Sequence, residues 1–141
     1  MVIGVVALFS LVQLSADFPS ARQHIRPCIA LMNEHRSPDQ RVVVYRPARH
    51  AWWYYRGHGI ADTTQPTVYT PDHTERDPAA YLREIKSHPG ESWCVFTHVK
   101  LFPPTDQADF EELKGLLEQA GEVKKAFASK GAYVYLVEVQ P

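Results

Sequence analysis

Glycine-rich phosphate loops are missing from this chain. Neither GxxxxGK[ST] nor GxGxxG occurs, so no helix start carries the glycines that let backbone N–H groups cradle a phosphate, and a nucleotide is disfavoured as ligand. Cysteine is scarce: Cys28 and Cys94 lie far apart in apolar surroundings, with no CxxC. A metal knuckle or disulfide scaffold is not indicated, and two buried free thiols are expected. No charge of one sign dominates, since 15 Lys and Arg meet 16 Asp and Glu for a net charge of −1. With the basic residues spread along the chain, the electrostatic footprint of a nucleic-acid binder is absent. The Gly-x-Ser-x-Gly elbow of serine hydrolases is absent as well, and Cys94 lies mid-strand, which leaves hydrolase readings weak. Seven histidines are present, but none has the i, i+4 partner of HExxH or a Cys or carboxylate at ligand spacing. Neither a metal nor a cofactor is expected.

What is present begins with "VIGVVALFSLVQL" (2–14), which holds no charge. A membrane-spanning helix needs ~20 apolar residues, so this run is too short to span alone. It lacks the Lys/Arg start of a signal peptide and a clean small-x-small cleavage site before Asp17. The preferred reading is the last turns of a transmembrane helix whose upstream part is not in the sequence. The leader of a small secreted protein comes second, and an ordinary buried helix third. The turn formers of "SADFPS" (15–20) mark the boundary, giving 1–16 as helix end or leader and 17–141 as one α/β domain. With 141 residues at 45% hydrophobic, one domain with its own core is the natural count.

Within that domain, 21–36 sets Ile25, Cys28 or Ile29, and Met32 on one helical face, with the regular helix starting or kinking near Pro27. "RVVVYR" (41–46) is a continuous apolar run suited to a strand buried on both faces. Residues 48–56 align Ala51, Trp52 and Tyr55 on one stripe, with Gly57 as the stop. "TVYT" (67–70) is a second, short strand. In 77–90, Asp77 caps a helix, Pro78 opens it and His88-Pro89-Gly90 ends it. "SWCVFTHV" (92–99) is another buried strand. Residues 105–121 form a helix with Phe110, Leu113, Leu117 and Ala120 as core stripe and Gly121 as terminator. The end (122–140) is a hairpin through Ser129-Lys130-Gly131, with Tyr133, Tyr135, Val137 and Val139 on one face. The order predicts a three-layer, Rossmann-like α/β fold whose mostly parallel sheet of four to five strands ends in an antiparallel hairpin.

Three places could carry function. His98 follows a buried strand at its carboxyl end, where open α/β sheets contact ligands. The loop 70–78 gathers Asp72, His73, Glu75 and Asp77, a set that could serve acid–base chemistry or hold a cation, against the plainer reading of a solvated loop with a helix cap. Arg46, Arg49 and Arg56 flank "WWYY", and Trp53 and Tyr54 could offer a face to sugar rings or lipid headgroups. The plainer reading makes Trp52 and Tyr55 core and leaves Trp53 and Tyr54 at its border.

A resemblance enters with the order of these features. A hydrophobic helix end, then "HIRPCIALMNEHRSPDQRVVVYRPARHAWWYY", "SWCVFTHV" and the closing "GAYVYLVEV" resemble the soluble C-terminal region of polytopic membrane glycosyltransferases of the dolichyl-phosphate-mannose protein mannosyltransferase and aminoarabinose transferase-like family. The likeness rests on Pro38-Asp39 and Arg41 to Tyr45 as a strand start, on Ala51 and Tyr54-Tyr55, and on Trp93. It implies a parent in the cell membrane that transfers a sugar from a polyprenyl-phosphate donor, with its soluble part extracytoplasmic. The partners implied are the membrane, the missing transmembrane domain and possible contact with donor or acceptor. That family's catalytic groups lie outside these residues, so no catalytic residue carries over and the chain alone is expected to be inactive. Two other readings stand beside it: a secreted or periplasmic small-ligand-binding α/β module near His73 and His98, and a small enzyme built on Asp72 and His73.

Overall fold

The computed structural model describes residues 24–61, 67–69, 78–97 and 106–141. Helix α1 (Ile25–His35) buries Ile25, Cys28, Ile29 and Met32, the stripe predicted from spacing. Pro27 sits in its first turn, where the missing N–H breaks no intrahelical bond. Strand β1 (Arg41–Val44) has its three valines buried, and a 3-10 turn (Arg46–Ala48) leads into α2 (Arg49–Gly57). There follow β2 (Thr67–Tyr69), α3 (Pro78–Lys86), β3 (Gly90–Thr97), α4 (Asp106–Leu117), β4 (Glu122–Ser129) and β5 (Ala132–Val139). The expected strand at 41–46 stops at Val44 because Pro47 cannot donate to a ladder and the chain turns.

The five described strands form one sheet in the order β2-β1-β3-β5-β4. Strand β1 pairs in parallel with β2 and β3, whereas β5 pairs antiparallel with β3 and β4. The expectation of a mostly parallel sheet is therefore corrected to a mixed one. The closing hairpin does not merely fringe the parallel strands; β5 inserts beside β3 along its whole length and leaves β4 as the outer edge. Hairpin geometry imposes the antiparallel pairing, since a two-residue connection cannot return a chain in parallel. Gly131 takes a left-handed φ of 64° in that turn, a conformation that costs glycine nothing.

Both faces of the sheet are covered. One packs Val42, Val44, Trp93, Val95, Val134 and Leu136 against α1 and α2. The other packs Val43, Cys94, Phe96, Tyr133, Tyr135 and Val137 against α3 and α4. The period-two alternation of β5 thus serves both layers, with Tyr133, Tyr135, Val137 and Val139 together as predicted. Cys28 and Cys94 fall on opposite sides of the sheet, so they are separate free thiols. Burial pushes Cys28 up to about 11 and Cys94 up to about 12, which keeps both protonated and unreactive.

At the amino end of β1 and β3 a polar network closes the sheet. The Gln40 side chain accepts from the Trp93 indole N–H at 2.8 Å and donates to Glu91. The register of β4 on β5 slips between Val123 and Lys125, a bulge that leaves Lys124 without a ladder partner and redirects its side chain. Its ammonium then bridges Glu138 and Glu91. Gly121, expected as a helix terminator, has a different duty here. A Cβ at that position would run into the backbone carbonyl of Glu138, so the glycine allows the chain leaving α4 to cross close over β5.

Candidate functional site

The carboxyl end of β1 continues one residue past the strand, where the Tyr45 N–H donates to the Val95 carbonyl at 2.9 Å. Tyr45 packs on Tyr81 and Phe96 with ring centroids 5.6 and 5.4 Å apart. Beyond it, Pro47 fixes the first turn of the 3-10 segment, and the Ala48 N–H closes that turn on the Tyr45 carbonyl at 2.8 Å. The chain leaves the sheet edge and lays α2 back over the face that holds Trp93.

Which way α2 faces is decided by Trp52. Its side chain is fully buried, and covering roughly 200 Å² of such a ring stabilises by about 5 kcal/mol. Ala51 and Tyr55 are partly buried beside it. The far end of the helix is tied down where the Ile60 N–H donates to the Tyr55 carbonyl and Asn33 of α1 donates to the Ile60 carbonyl at 2.8 Å.

With Trp52 turned inward, the next two residues must face out. Trp53 is 48% exposed and Tyr54 58% exposed, the exposed large hydrophobics among the described residues. Helical spacing places Arg49, His50 and His58 on the same outer stripe. The Arg49 guanidinium lies 4.9 Å above the Trp53 ring in a cation–π contact. His50 meets Trp53 edge-on at 5.8 Å, and Tyr54 lies 4.2 Å from the His58 ring. The Arg49 Nε is buried without a hydrogen-bond partner among the described residues. From Tyr45 to Ala61 the sequence holds three arginines, two histidines and no carboxylate, although the whole chain is slightly acidic.

Of the residues singled out from sequence, Arg46, Arg49, Trp53 and Tyr54 fall on one continuous turn and helix. Asp72, His73 and His98 lie outside the described residues. His50 and His58 complete the stripe and were not anticipated as part of it, although their offsets of three, four and eight residues from Trp53 and Tyr54 and from each other carry the signal. Among the described residues no group of three or more His, Cys, Asp or Glu side chains converges as a metal site, and no helix is long and apolar enough to cross a membrane.

His24 is fixed at the same end of the sheet. The His24 N–H donates to the Lys130 carbonyl at 2.8 Å, at the tip of the β4–β5 hairpin. Because Thr97 pairs with Ala132, that tip stands at the carboxyl end of β3, the same edge from which α2 departs. Comparison with known protein families, curated proteins and solved structures gives no match.

Proposed function

We propose that the chain is the accessory C-terminal extramembrane domain of a membrane glycosyltransferase that uses a polyprenyl-phosphate sugar donor, non-catalytic in itself and held on the extracytoplasmic side. The observation that carries this reading is the entry of the chain into the fold. The uncharged run 2–14 is followed by only nine residues, 15–23, before His24 is pinned to the hairpin tip. Nine residues span at most about 30 Å, so a membrane-seated run holds the carboxyl edge of the sheet near the bilayer. A Rossmann-like arrangement goes with the proposal: the parallel order β2-β1-β3, with α2 and α3 on opposite faces, supports a chain that reverses direction at β1, as doubly wound folds do.

The test is the membrane attachment and sidedness of the native protein. Alkaline carbonate should leave it with the membrane pellet, and protease added from the extracytoplasmic side should cleave within 24–141. Release by carbonate, or cleavage from the cytoplasmic side only, overturns the reading. Sugar transfer from a polyprenyl-phosphate donor by the chain alone would overturn the non-catalytic part.

The Arg49 Nε, buried near the carboxyl end of β1 without a hydrogen-bond partner among the described residues, favours a second reading, a secreted small-ligand-binding module. A mature N-terminus near Ala16 by mass spectrometry would select it over the first.

A further inference from the structure

We infer that the outer stripe of α2, formed by Arg49, His50, Trp53, Tyr54 and His58, rests on the surface of an anionic bilayer and sets the orientation of the domain. This rests on the proposed membrane attachment and goes beyond it, because a tether alone leaves the domain free to present any face.

Three observations converge on that occupant. The stripe combines half-exposed tryptophan and tyrosine with the Arg49 guanidinium, the pairing suited to a headgroup layer: the rings take up the apolar boundary and the guanidinium meets lipid phosphate. The stretch from Tyr45 to Ala61 contains no carboxylate in a chain of net charge −1, so the formal charge that this stretch carries is of one sign, the sign that an anionic headgroup layer attracts. And α2 starts at the sheet edge where His24 is fixed, the edge that the apolar run holds near the bilayer. The guanidinium of Arg49 already lies 4.9 Å from the Trp53 ring, so the cation and the ring meet the surface as one unit.

The protein carries its own reporter. Of its three tryptophans, Trp52 and Trp93 are fully buried, and only Trp53 can meet a quencher in the lipid. The full chain is mixed with vesicles of phosphatidylcholine containing phosphatidylglycerol in both leaflets, brominated on the acyl chains, and bound chain is isolated by flotation. The expected result is loss of the Trp53 emission, with the residual signal unchanged in Trp53→Phe. In phosphatidylcholine alone, or in about 1 M salt where the screening length is ~3 Å, quenching should be largely lost although the chain still floats. Arg49→Gln should weaken the contact about fivefold, the effect of removing one surface cation. A chain that floats with Trp53 unquenched, or quenched equally without anionic lipid, overturns the inference and leaves the attachment standing. A chain that does not float, although carbonate leaves the native protein in the membrane pellet, overturns the inference alone, and release of the native protein by carbonate overturns both. A Trp53 response to heparin in solution but not to anionic vesicles would assign the stripe to a soluble polyanion and overturn it as well.

Discussion

The two ends of the sheet handle exposed polar chemistry in opposite ways. At the amino end, Gln40, Glu91, Lys124 and Glu138 bind one another, and the Trp93 indole N–H is satisfied within the same network. Opposite charges meet, and the bulge in β4 aims Lys124 at its partners. At the carboxyl end, α2 presents cations and aromatic rings with no carboxylate in its segment. The polar groups at the amino end satisfy one another and build the fold, whereas the α2 segment sets side chains of one sign beside two exposed rings. Substitutions at the two ends should therefore separate stability from membrane contact.

The largest effect is expected at Trp93. Replacing this fully buried ring by alanine removes both a core side chain and the donor to Gln40, and should cost about 3–5 kcal/mol in denaturant unfolding. Gly121→Ala comes next, at about 3 kcal/mol, because the added methyl meets the backbone of Glu138 rather than a side chain that could swing away. Gln40→Ala should cost roughly 1–3 kcal/mol by leaving the buried indole N–H of Trp93 without an acceptor. If it costs nothing, the amino-end network is ornamental and the contrast between the ends collapses.

A smaller effect is expected from pH. The Gln40 amide and then the Lys124 ammonium hydrogen-bond Glu91 and hold its carboxyl below the usual carboxylate range. Its stabilising contribution is present above the ordinary glutamate pKa and lost as pH falls through the lowered folded value. Thermal melts between neutral and acid pH should show this decline and should show less of it in Glu91→Gln. Smallest of all, Trp53→Ala and Tyr54→Ala should change stability by no more than about 0.5 kcal/mol, while removing the contact with anionic vesicles. A destabilisation as large as that of Gln40→Ala would mean that the outer stripe of α2 is structural after all.

Much of the architecture was legible because it depends on local rules. The stripes Ile25/Cys28/Ile29/Met32 and Leu113/Leu117, the alternation in β5, Pro78 opening α3 and Gly131 in the hairpin turn all follow from period, φ preference or a missing N–H. Trp52 inside and Trp53 with Tyr54 at the border follows from the same periodicity. The amino-end network was not legible, since Gln40 meets partners 51 and 53 positions away and no local pattern joins them. Nor was the role of Gly121, because a glycine that ends a helix and one that lets two backbones approach read alike in a sequence.

By itself, then, the sequence determined the elements, the buried stripes of α1, α2, α4 and β5, and the composition of the outer α2 stripe, because these are properties of neighbouring residues and of the polar or apolar character of side chains. Only the tertiary structure decided that β5 inserts beside β3 to make the sheet mixed, that the two cysteines lie on opposite faces, and that His24 and the start of α2 share one edge. Those outcomes depend on which distant segments pair. Pairing is settled when the whole apolar surface is buried at once, a condition that no single stretch of chain can express.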